Sequence, residues 1–293
     1  MKKLRWAFVF FLLAAITTAE AGEFDLSETS PREVVSIPGK NIKAGMFRYD
    51  YQEVNEGKIE DESTNKAGII VNDEVIYYVS EEGMEHSGVD PGGDNNFGVY
   101  KDYVLMDSWS HWSSHNRMMY LFRLKGTNVE LLDMISMGYS GGKGEMYGSD
   151  FMSVIDGEWT ESPPTPAWTK VQDIDNDGNP EVKIVILPNA IPELYLEIKN
   201  DRLHVDLNPA LYKPLFEREK LKKRKKKTSA YYIYGFLAGE LTLDDIKVMS
   251  ESREGQRERI ISFLKYRDKW DAAFHNHGGD KPVLLKKYIK KGR

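Results

Sequence analysis

The chain contains no cysteine. Disulfides, thiolate metal sites, cysteine nucleophiles and a lipid-bearing N-terminal cysteine are therefore excluded. A fold without disulfides relies on core packing or on bound metal, and for an exported chain this composition suits bacterial export better than the eukaryotic secretory route. Long apolar runs are also scarce. Beyond Ile16 no stretch approaches the roughly 20 apolar residues that a bilayer-spanning helix needs, so no stable transmembrane anchor is expected.

The one apolar run lies at the start. Lys2, Lys3 and Arg5 precede the run Trp6–Ile16, and Ala19-Glu20-Ala21 follows it. A basic region, a short apolar region and an Ala-x-Ala site make up a cleavable secretory signal. Residues 1–21 are read as a signal peptide cut after Ala21. The mature protein is then expected in the periplasm or outside the cell.

Charge divides the rest. Residues 22–216 hold 16 Lys and Arg against 34 Asp and Glu, while residues 217–293 hold 21 against 11. The chain's net charge of −6 thus conceals two parts of opposite sign. Such asymmetry suggests mutual docking or a basic end for an anionic partner. An anionic envelope polymer or another protein fits an exported chain, and no nucleic acid partner is expected.

Periodicity divides the chain near the same place. Alternation at Phe47, Tyr49 and Tyr51, strand-like runs at 68–71, 75–79, 117–125, 129–137, 195–198 and 203–207, and a β-branched run at 182–187 predict strands. Further strands are expected at 34–37 and 100–107. Asn72-Asp73, Gly126-Thr127 and Asn200-Asp201 predict hairpin turns. Residues 55–66 and 80–98 read as loops, and Pro163, Pro164 and Pro166 as a stiff linker. Residues 217–228 form a basic linker ending in Lys222-Lys223-Arg224-Lys225-Lys226-Lys227.

Beyond the linker the period becomes helical. Ser229–Ala238 is a helix candidate stopped by Gly239, and Thr242-Leu243-Asp244-Asp245 is a capping box with Asp at its end. Residues 256–277 carry Ile260, Phe263, Leu264, Trp270 and Phe274 at helical spacing. Pro282 opens a last predicted helix to Ile289. The expected architecture is α+β: a β-rich domain over 22–216, as a sandwich or partial propeller, then a small basic α-helical domain over 229–293.

One stretch demands a particular chemistry. Asp173, Asp175 and Asp177 alternate, Gly178 follows, and Asn179 and Glu181 come next. Hard divalent cations take 6–8 oxygen ligands, which three alternating carboxylates on a bending loop begin to supply. Asn179 would add its backbone carbonyl, and Glu181 would close the site directly or through water. An EF-hand needs a bidentate Glu at position 12, where Ile184 stands, so the loop is not an EF-hand. It resembles the calcium loop of FG-GAP/VCBS repeats, the integrin-α N-terminal type of propeller blade. The resemblance covers residues 171–186, with Val171 before the loop and Val182-Lys183-Ile184-Val185-Ile186 after it. It implies a Ca2+ ion held between two strands. Those families carry several copies, and this chain carries one.

Other motifs are weaker. Gly138-Tyr139-Ser140-Gly141-Gly142 fits Gly-x-Ser-x-Gly, but the segment after it is poor helix material, which a nucleophile elbow requires; its nearest triad partners would be a downstream Asp and His204. His111 and His115 have helical spacing for zinc in a Ser- and Trp-rich loop. Trp109 and Trp112 in that loop could stack on sugar rings. His275-Asn276-His277 closes a helix, where the dipole favours imidazole. The leading expectation is an exported, non-enzymatic protein with one structural calcium and an interaction role in the cell envelope. An exported hydrolase using Ser140 or His111/His115 is the first alternative, and a carbohydrate or cell-wall binding module the second.

Overall fold

The computed structural model describes residues 22–26, 34–55, 58–80, 97–109, 117–136, 170–184, 193–222, 227–248, 254–275 and 283–289. The chain is α+β, with three antiparallel sheets and a group of short helices.

The first sheet holds β1 (Glu23–Asp25), β2 (Val34–Ser36), β3 (Ile42–Asn55), β4 (Lys58–Val71), β5 (Val75–Ser80) and, from the far end of the chain, β14 (Val283–Tyr288). Its order is β1-β3-β4-β5-β14, with β2 also on β3. Asn72 and Asp73 both take positive φ, and the Glu74 N–H donates to the Val71 carbonyl, as a type I′ turn requires. β4 starts well inside the stretch that reads as loop. Residues 58–63 are all exposed, so they carry no apolar alternation, and pairing with β3 alone sets their conformation.

The segment after Pro282 is a strand and not the expected helix. β14 pairs antiparallel with β5, from Val283↔Ser80 to Tyr288↔Val75. Leu284 packs on one face of the sheet, and Leu285 and Ile289 on the other. That two-residue alternation is satisfied only by the edge of β5, and tertiary context overrides local helix preference.

The second sheet is the meander β6 (Phe97–Tyr100), β7 (Tyr103–Trp109), β8 (Arg117–Lys125) and β9 (Asn128–Ser136). The expected strand over 100–107 is broken by a two-residue turn, with Lys101 at φ 53° and Tyr100 opposite Tyr103. Both faces of β8 are covered. Met118, Tyr120, Phe122 and Leu124 pack against Ile42, Ala44, Met46, Ile69 and Tyr77 of the first sheet. Met119 and Leu121 face the opposite core. A strand buried on both faces reads as an unbroken apolar run, which is what Met118–Phe122 is.

The third sheet is the meander β10 (Val171–Gln172), β11 (Glu181–Ile184), β12 (Leu194–Lys199) and β13 (Arg202–Asp206). Its apolar face joins Met119 and Leu121 in one core with the helices. These are α1 (Pro209–Leu221), α2 (Ser229–Leu237), α3 (Leu243–Lys247), α4 (Glu254–Lys265) and α5 (Trp270–His275), with a 3-10 turn at Arg267–Lys269. α1 begins at Asn208-Pro209, a capping residue before a proline, and runs across position 217, where the sequence changes character. The capping box at Thr242 and Asp245 is formed in both directions. The helix expected over 256–277 breaks at Tyr266, yet Ile260, Phe263, Leu264, Trp270 and Phe274 are all buried as its periodicity demands. No described helix is long and apolar enough to cross a membrane.

α5 fastens the free edge of β13. Leu203 N–H donates to Asp133 Oδ2 at 2.7 Å and Val205 N–H to Asp271 Oδ1 at 2.6 Å. Both amides lie on the strand's outer edge, where an unsatisfied donor would be costly. Two carboxylates, one from β9 and one from α5, therefore stand where a further strand would.

Candidate metal centre

The acidic loop spans from the end of β10 to the start of β11, which are joined by Val171↔Val182 and Gln172↔Glu181. This hairpin forces the intervening residues into a tight wrap. Asn176 takes φ 64° and Gly178 φ 97°. A Cβ at Gly178 would meet nothing within 4 Å, so backbone conformation alone calls for glycine there.

Backbone amides then aim the side chains. Asp177 N–H donates to Asp175 Oδ1 at 3.1 Å, Gly178 N–H to Asp173 Oδ2 at 3.1 Å, and Asn179 N–H to Asp177 Oδ1 at 2.8 Å. Ile174 N–H donates to Glu181 Oε2 at 2.5 Å. With one oxygen of each carboxylate so held, carboxylate oxygens of Asp173, Asp175, Asp177 and Glu181 lie within 4.8 Å of one another. All four sequence-predicted acids therefore converge. The Asn179 amide holds the Asp177 carboxylate at 2.9 Å and Glu197 Oε2 at 3.3 Å.

Glu181 is the unusual member. It is fully buried, and its Oε1 has no hydrogen-bond partner. Asp173 Oδ1 is likewise buried and without one. Burial pushes the Glu181 carboxyl up to about 7, with Asp175, Asp206 and Asp173 adding repulsion against the Ile174 hydrogen bond. Asp177, on the exposed side, is held below the usual carboxylate range, chiefly by the backbone N–H of Asn179. A buried carboxylate with an orphaned oxygen costs free energy unless a cation or a proton meets it. The donor set is all oxygen, which suits calcium, magnesium or manganese rather than a soft metal.

Three residues beyond the sequence motif border the loop. Glu197 lies opposite Glu181 in the ladder. Asp206 is buried, and burial, with Glu197, Asp175 and Asp177 nearby, raises its carboxyl above the usual range. Asn208 Nδ2 donates to Asp175 Oδ2 at 2.5 Å. Lys199 pairs with Glu197 at 3.2 Å and offsets part of the added charge.

Trp109 closes β7 opposite Arg117 in the backbone ladder, and its side chain is outside the described set. Trp112, His111, His115, Ser140 and His277 lie outside the described residues. His204 Nδ1 sits 2.9 Å from Asp271 Oδ2, and His275 Nε2 sits 3.0 Å from Asp133 Oδ2. Among the described residues the loop is the one acidic or histidine group with metal-binding proximity. No family model, curated protein or solved structure matches this chain.

Proposed function

We propose that the Asp173–Glu181 loop binds one calcium ion, and that the ion acts as a structural staple. The observation that carries this reading is the buried Glu181 carboxylate, whose Oε1 has no partner and which is grouped with the carboxylates of Asp173, Asp175 and Asp177. A cation there would meet the two orphaned oxygens at once and cancel the repulsion within the loop. The strand–loop–strand setting, with Val171 and Val182 paired around the loop, supports the likeness to an FG-GAP/VCBS calcium loop. Calcium is chosen over magnesium because a wrapping loop that gathers several carboxylates suits irregular coordination of high number.

In this reading the protein is exported after loss of residues 1–21 and acts by binding, not by catalysis. Its basic end takes an anionic envelope polymer or an acidic protein face. Thermal unfolding with excess calcium and with EDTA tests the metal assignment. Calcium should raise the midpoint, and an unchanged midpoint refutes the assignment.

A further inference from the structure

Asn208 faces two ways. Its Oδ1 accepts from Ala210 N–H at 3.1 Å and so caps α1, while its Nδ2 donates to Asp175 Oδ2 at 2.5 Å across 33 residues of sequence. A primary amide has one acceptor end and one donor end, and here each is committed to a different element. The backbone on either side is also tied down. Asn208 N–H donates to Asp206 Oδ1 at 2.7 Å, and Tyr212 in the first turn of α1 donates to the Asp206 carbonyl at 2.6 Å. The third sheet, the acidic loop and α1 therefore meet at one exposed side chain.

We infer that Asn208 is a positioning residue of the acidic loop, which couples cation binding there to the order of α1. This rests on the loop being a cation site, as proposed above. Asp177 N–H holds Asp175 Oδ1 from within the loop and Asn208 holds Oδ2 from outside it, so the two together set the orientation of the carboxylate. A cation that fixes Asp175 fixes the acceptor for Nδ2. The amide is then locked with its Oδ1 on the first turn of α1. By reciprocity, ordering of α1 strengthens cation binding. α1 carries Leu211, Tyr212, Leu215 and Phe216 into the main core and ends at the basic segment. Cation occupancy thereby reaches the part of the chain that bears the positive charge.

The test uses the full mature chain, with calcium chloride and EDTA as the two conditions. Asn208→Ser keeps a good helix cap but lacks the donor that reaches Asp175. Amide hydrogen exchange is followed in residues 211–221 and, as a reference, in β11. In the wild type, calcium slows exchange in both segments, by about ten-fold in α1, as expected for one hydrogen bond to a charged group. In Asn208→Ser, calcium still protects β11 while α1 no longer responds. Equal calcium protection of α1 in both proteins overturns the coupling and leaves the cation site standing. Absence of calcium binding by calorimetry in the wild type refutes the site itself, and the coupling with it. Asn208→Asp adds a readout that loss of a cap cannot mimic. It retains the cap but sets a carboxylate against Asp175, so the calcium-free midpoint falls and calcium restores it; an unchanged calcium-free midpoint contradicts the Asn208–Asp175 contact.

Discussion

His275 of α5 lies 3.0 Å through Nε2 from Asp133 of β9, a contact across 142 residues, while its Nδ1 lies 2.6 Å from the Asp271 carbonyl. A carbonyl only accepts, so Nδ1 donates to Asp271, and protonation of Nε2 lets it donate to the Asp133 carboxylate, in competition with Arg202 Nε–H, which points at the same nitrogen from 3.3 Å. Burial opposes that protonation, as does Arg202, but Asp133 and the Asp271 carbonyl outweigh them and the His275 pKa is raised.

This contact makes stability depend on pH. The folded value lies above the ordinary 6.5, so the contribution is full below about that pH and is lost as pH rises through the folded value. His275→Gln should cost about 2 kcal/mol at pH 5.5, as expected for a hydrogen bond to a charged group, and less at pH 9. Urea denaturation of both proteins at the two pH values checks this.

Glu181→Gln separates the two costs of the acidic loop. The Glu181 value of about 7 against an ordinary 4.5 means that the metal-free folded state holds an extra proton between those limits. The metal-free protein loses stability as pH rises through that window. At pH 8 without metal, the neutral amide should therefore raise the melting temperature. With calcium present the order should reverse, because a ligand charge is gone. Thermal scans of both proteins at pH 8, with EDTA and with calcium, read both signs.

Much of this was legible in the sequence, for identifiable reasons. The turns at Asn72-Asp73 and Asn200-Asp201 were readable because two consecutive positive φ values demand residues of that kind. The four acids of the loop were readable because a short wrap converges on alternate positions. Glu197, Asp206 and Asn208 were not, since only the β12–β13 register brings them to the loop. β14 was hidden because its pattern has meaning only against β5. The start of α1 had a local signal, Asn208-Pro209, which the charge shift at 217 obscured.

Gly235 sets the approach of α2 to its neighbours. A Cβ there would meet Leu241 at 2.5 Å and Phe216 of α1 at 2.8 Å. Alanine gains about 1 kcal/mol of helix propensity over glycine, but crowding in a packed core costs about 1–3 kcal/mol. The Leu241 side chain is able to yield, whereas the Phe216 ring is set in the core. Gly235→Ala should be destabilising by about 1 kcal/mol, measurable by chemical denaturation. A stabilised variant would show that α1 and α2 are free to separate.

The Asp173–Glu181 loop is proposed to hold one calcium ion. Isothermal titration of calcium into EDTA-stripped protein tests it most directly, with Asp175→Ala beside it. The predicted result is one site per chain with a dissociation constant at or below about 10⁻³ M, abolished or weakened at least ten-fold in the variant. A wild-type titration without binding heat, matched by identical melting in calcium and EDTA, would contradict it.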